Sequence, residues 1–294
     1  MTTPMTLSPT GAPPTLWRLT RISLLVAAVA FGIFGAASFI APGWAAQNFP
    51  WSVGPFLAMS IGGWTFGTAA IALDAQRRTA PTAIALLVYV WLFGAGEFLV
   101  LLAFRDRAVW SALLTIPYLV GLLALLVSVG TGLPALWLER GRGPVEDGTP
   151  APWWARAWTV GFVIVLLGLV LATLLARQGG AATEAGFVPE RMTLFTVRAF
   201  SAFFLAIGLS AASLLVTNRI GAYLAFGQAG LYLIVPITIA ALVNLSTFDF
   251  VGRPGGLVYL GAYIVVGVFV VVALVRDRAR RASDAIVTTE SGGR

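Results

Sequence analysis

The chain has 294 residues, of which 59% are hydrophobic and 11% charged, and its net charge is +7. Soluble domains carry about 25% charged residues, so the composition excludes a water-soluble globule and implies a membrane protein. Cys, His and Lys are all missing, so the 19 basic residues are all arginine; disulfides, thiolate and imidazole catalysis, Cys or His ligation of metals and haem, and Schiff-base chemistry are excluded with them. Carboxylates, hydroxyls and arginine remain, and neither a cofactor nor a metal is expected.

Residues 1–17 are polar and proline-bearing, and the apolar run behind them has no cleavage pattern. A disordered cytoplasmic N-terminus without a secretory signal is therefore expected. Eight apolar stretches follow, at 22–41, 53–74, 82–104, 109–133, 158–177, 194–216, 221–243 and 256–275. Each supplies the roughly 20 helical residues needed to cross the hydrocarbon of a bilayer. The expected fold is an all-α polytopic membrane helix bundle with eight transmembrane helices.

Placing the loops on alternate sides puts thirteen arginines on the side of the termini, from Arg18 and Arg21 through Arg156 and Arg219 to Arg294, and leaves six for the other side and its spans. Cytoplasmic loops carry the basic excess, so both N and C termini are expected in the cytoplasm, with the outer membrane face opposite. A basic chain could also serve nucleic acid, but these arginines are spread over every inner loop, so no nucleic-acid partner is expected. Trp17, Trp137, Trp153, Trp154 and Trp158 fall at the inner headgroup level and Trp44, Trp51 and Trp110 at the outer one, where amphipathic rings belong. Trp64 and Trp91 lie deep and read as core packing.

Span two carries Gly63 and Gly67 in SIGGWTFG, a small-xxx-small pair that lets a second helix backbone approach closely. Its inner end holds Asp74 with Arg77 and Arg78 three and four residues on, the spacing of a helix-end salt bridge. In span three, YVWLFGAGEFLVLLAFRDR brings Tyr89 to the inner half and Glu97 to about 22 Å along the helix, in the outer half of the hydrocarbon. A charge at mid-span costs about 2.5–3.5 kcal/mol, so the carboxyl needs a partner cation, a watery cavity or a proton. Asp106, between Arg105 and Arg107, reads as a solvated turn, and Pro117 in span four and Pro236 in span seven are expected to bend their helices and free carbonyls.

Residues 135–156 are rich in Pro, Gly and charge and form a cytoplasmic linker between two units, 18–134 and 157–276. Sliding residues 22–137 forward by 139 positions lays spans one to three on five to seven without a gap and brings Pro50 onto Pro189. Two parallel four-helix repeats, related by an axis along the membrane normal, are therefore expected. Under this shift Tyr89 coincides with Gln228, a candidate pair of polar groups in the interior. Arg198 enters span six about one turn below the outer surface, at a depth similar to that of Glu97. An acid in one half and a base in the other make Glu97 and Arg198 a candidate buried ion pair across the repeat interface. Arg198 could instead snorkel to the headgroups, an escape the shorter Glu97 lacks.

The run RDRARRASD after span eight adds to the inner surface charge and is expected to meet anionic lipid headgroups; residues 277–294 read as a disordered cytoplasmic tail. Asn244-Leu-Ser246 matches a glycosylation acceptor, which is discounted because the Lys-free, Ala-, Gly- and Arg-rich composition reads as bacterial, placing a multi-pass protein in the plasma (inner) membrane. No phosphate-binding loop, nucleophile elbow or pair of carboxylates on one helix face is present. The favoured reading is a non-catalytic structural or accessory membrane subunit, with a homo-oligomer or another membrane protein open as partner. A small-solute transporter or channel with a site between the halves near Glu97 is the alternative. A membrane-embedded enzyme acting on lipid comes third and would have to use Glu184 and Glu190 in the outer loop 178–192.

Overall fold

The computed structural model describes residues 15–78, 80–139, 149–180, 182–184, 186 and 188–291. Nine α-helices account for most of them: α1 (Thr15–Ile40), α2 (Pro42–Gln47), α3 (Pro55–Arg77), α4 (Ala80–Ala103), α5 (Thr115–Glu139), α6 (Trp153–Leu174), α7 (Leu194–Thr217), α8 (Ile220–Val243) and α9 (Gly255–Ser291). All but the short α2 are long and apolar enough to span a bilayer, giving the eight spans of an all-α polytopic bundle. Because a helix satisfies its backbone internally, helices are the form apolar segments of this length take in lipid.

Local chemistry sets the ends of these rods. Pro42 and Pro55 open α2 and α3, where a missing N–H costs nothing. Thr193 caps α7 by accepting the Thr196 N–H at 3.2 Å, and Asn218 closes α7 in the left-handed region at φ 46°.

Several boundaries differ from the sequence reading. Span four begins at Thr115 and not at 109, because residues 109–114 fold back onto the segment after α2: Val109 N–H donates to Pro50 O at 2.7 Å and Leu114 N–H to Asn48 O at 3.1 Å. Pro117 therefore sits in the first turn of α5, where it interrupts no helical hydrogen bond; the proline inside that helix is Pro134. Span five lies five residues closer to the linker, from Trp153. At the C-terminal end α9 continues to Ser291, so residues 277–291 are helical and not a disordered tail. Residues 1–14 and 140–148, in the expected N-terminal segment and linker, lie outside the described residues.

The packing is reciprocal. Within each half the first long helix lies on the second (α1 on α3, α6 on α7) and the third on the fourth (α4 on α5, α8 on α9). Between halves, α4 packs on α7 and α3 on α8. Helices α4 and α8 start and end 140 residues apart, and each is followed by a one-turn 3-10 segment, Arg105–Arg107 and Leu245–Thr247. The heart of the molecule is the contact between α3, α4, α7 and α8, where Trp64 stacks on Phe203 at 4.3 Å and meets the edge of Phe200 at 4.2 Å.

Candidate functional site

Glu97 is 2% exposed, in the last third of α4. Its helix is squeezed between two neighbours: a β-carbon at Gly94 would stand 2.6 Å from that of Leu125 on α5, and one at Gly96 would stand 2.9 Å from that of Ala202 on α7. Glycines permit this approach because they bring no side chain between the backbones. The carboxyl therefore turns into the first half and not across to the second.

There Tyr118, in the first turn of α5, donates its hydroxyl to Glu97 Oε2 at 2.8 Å. The folded-back segment 109–114 fixes the start of α5 and hence the position of this tyrosine. Around the pair stand aromatic rings: Phe34 lies 5.5 Å from Tyr118 between centroids, Trp51 5.4 Å and Phe31 6.4 Å, and Phe31 meets Phe93 edge-on at 5.8 Å. Among the described residues Glu97 Oε1 has no hydrogen-bond partner.

The expected Glu97–Arg198 pair is not made. Arg198 directs its guanidinium at the end of α6, donating to Thr173 O and, at 3.1 Å, to Ala176 O. Ser201 one turn along donates to Thr173 Oγ1 at 2.7 Å. The last carbonyls of a helix are unsatisfied and carry partial negative charge, so α6 offers a cation what Glu97 was expected to offer. The two side chains sit on faces of α4 and α7 that meet different partners, Tyr118 of α5 and the end of α6. Ion pairs form instead between Asp74 and Arg78 at 2.7 Å, Arg105 and Asp106 at 3.9 Å, and Glu184 and Arg191 at 3.0 Å.

Tyr89 and Gln228 do not form a matched polar interior. Tyr89 is buried and shares a 2.8 Å hydrogen bond with Thr68 of α3. Gln228 is exposed, accepts from Arg78 at 3.2 Å and donates to Tyr232 at 3.3 Å. Its amide meets the helix-end arginine of the other half, whereas the Tyr89 hydroxyl is held inside the packed core by Thr68. Gly63 and Gly67 lie against α8: a β-carbon would fall 3.3 Å from Ile237 N at the first and 2.5 Å from Tyr232 O at the second.

Three residues that sequence reasoning passed over, or placed elsewhere, complete the site. Trp51, expected at the headgroups, is 2% exposed. It stacks on Phe195 of α7 at 4.5 Å and donates its indole N–H to Thr196 Oγ1 at 3.1 Å, joining the halves at the start of α7. Tyr118 carries no signal beyond following Pro117. Glu190, in the loop between α6 and α7, reaches across to the first half and accepts the N–H groups of Phe56 and Leu57 at 3.0 and 3.1 Å, capping α3. Gly54, which stands at the N-cap of α3 and has no side chain to cap it, was the available hint. Among the described residues no three acidic side chains gather into a metal-binding group.

Compared with known proteins, the chain matches no family model, no curated protein and no solved structure.

Proposed function

We propose that the protein is a non-catalytic structural or accessory subunit of the bacterial inner (plasma) membrane, with both termini in the cytoplasm and two duplicated, parallel halves. The observation that carries this reading is the contact between the halves. Trp64 fills it against Phe200 and Phe203, and Gly63, Gly67 and Gly96 let the backbones close on one another. Close apolar packing of this kind holds helices together and leaves little room for a hydrated solute. Both acids of the outer loop are engaged, Glu190 on α3 and Glu184 with Arg191, which weighs against a lipid-acting enzyme. The partners such a subunit would use are anionic headgroups along its arginine-rich inner face and a second membrane chain, either another copy or a different protein.

Transport is the second reading, and one observation favours it: Glu97 brings a carboxyl oxygen without a hydrogen-bond partner into the membrane interior. Flux assays separate the two. Purified protein in liposomes should conduct protons, potassium, chloride and glycerol no faster than protein-free vesicles. Flux above that background which Glu97→Gln removes would replace the scaffold reading with transport.

A further inference from the structure

Trp51 and Glu190 stand at the same place in the two halves, four residues before α3 and four before α7. Each crosses to the third residue of the other helix, Trp51 to the Thr196 hydroxyl and Glu190 to the Leu57 N–H. The two crossings differ in chemistry. A carboxylate in this position caps a helix, whereas an indole ring covers what lies beneath it.

Beneath Trp51 lies Glu97. The end of the bundle at which α3, α5 and α7 begin is crossed by a row of rings: Phe49 meets Trp51 edge-on at 4.7 Å, Trp51 stacks on Phe195 at 4.5 Å, and Phe195 stacks on Phe104 at 5.5 Å. Phe49 and Trp51 come from the segment between α2 and α3, Phe195 from the first turn of α7, and Phe104 directly follows α4. Glu97, seven residues before Phe104, lies about 10 Å deeper along that helix. Tyr118 bridges the interval, with its ring 5.4 Å from that of Trp51 and its hydroxyl on Glu97 Oε2. Glu97 Oε1 is buried without a partner among the described residues, so the carboxyl stands to gain from contact with water while the row keeps it covered.

We propose that this row is a lid closed over Glu97, and that Trp51, pinned by Thr196, is the residue whose departure admits water to the carboxyl from this end of the bundle. Trp51 is the moving part for two reasons. Residues 51–54 lie outside the helices, so the ring can turn away without breaking one, and a single side-chain hydrogen bond fastens it to the other half. Its surroundings are held more firmly: Thr193 caps α7, which carries Phe195, and Glu190 fixes the start of α3 with two hydrogen bonds. The proposal concerns the route to Glu97 and stands whether the protein is a scaffold or a transporter.

Glu97→Cys in the full chain, treated in intact cells and in inverted vesicles with a small membrane-impermeant methanethiosulfonate, tests the lid by the rate at which mass is added to the protein. Asp106→Cys, exposed just after α4, marks the side to which this end of the bundle belongs. Glu97→Cys alone sets the base rate. Adding Trp51→Ala should raise the rate from the Asp106 side more than about tenfold and leave the other side at base, and adding Thr196→Val, which removes the acceptor and keeps the ring, should raise it about fivefold. Trp91→Ala, which removes a buried ring six residues further from the lid on α4, should leave the Asp106 side at the base rate. Each variant must first elute as native protein on size exclusion, and if Trp51→Ala does not, Thr196→Val decides. An unchanged rate in Trp51→Ala and Thr196→Val, an equal rise from both sides, or an equal rise in Trp91→Ala would each overturn the lid.

Discussion

The hydrogen bond from Tyr118 to Glu97 joins two buried groups that depend on each other, with Phe34 and Trp51 packed against the tyrosine ring. Removing one partner of a buried hydrogen bond costs the desolvation of the other, about 1–3 kcal/mol. Tyr118→Phe should lose about that much stability in mixed-micelle unfolding. In double-mutant cycles, Glu97→Gln with Tyr118→Phe should couple by more than about 0.5 kcal/mol, whereas Glu97→Gln with Arg198→Gln should lie within about 0.5 kcal/mol of zero. A large second coupling would restore the ion pair that the geometry denies. The residue-level reading failed here for a definite reason. Depth in a membrane is legible from position along a span, but azimuth is not when a helix is apolar on every side, as α4 and α7 are. Arg198 found carbonyls at the end of α6, a partner that no side-chain inventory contains.

Between helices, the glycines discriminate packing from composition. Gly67 stands against the backbone of α8, whereas Gly161 on α6 has nothing within 4 Å of its missing β-carbon. Gly67→Ala should therefore push α3 and α8 apart and cost about 1–3 kcal/mol, while Gly161→Ala should be neutral or stabilise by up to about 1 kcal/mol. Thermal melts in detergent would show the contrast, and equal melting temperatures for the two variants would contradict it. The existence of the eight spans could be read from hydropathy because lipid imposes a length on each apolar run. Their ends were harder. The start of α5 is set by Pro50 and Asn48, some sixty residues earlier in the chain, and α2 is too short to register against the apolar background. The extension of α9 past the arginines was hidden by its polar composition, which a helix leaving the bilayer tolerates.

The molecule as a whole is held by a reciprocal contact, α4 on α7 and α3 on α8, reinforced from outside by Trp51 and by the Glu190 cap on α3. Span and loop lengths divide the sequence into two stretches of four spans, but which helices of the two would meet was not legible from them. The first half closes around Trp91 and the aromatic rings near Glu97, with α1 packed along α5, while in the second α6 and α9 meet through the Trp158–Phe269 stack, a difference that appears only once the helices are in place. Since the chain has no cysteine, single cysteines introduced one at a time report on water access without background. The most direct test is labelling by a membrane-impermeant maleimide in intact cells and then in inverted vesicles. Asp106→Cys, Gly179→Cys and Gly252→Cys should react from the outer side, Arg18→Cys and Arg278→Cys from the inner side alone, and Glu97→Cys from neither. Labelling of Glu97→Cys from either side, or of Arg18→Cys and Arg278→Cys from opposite sides, would contradict a dry bundle of eight spans.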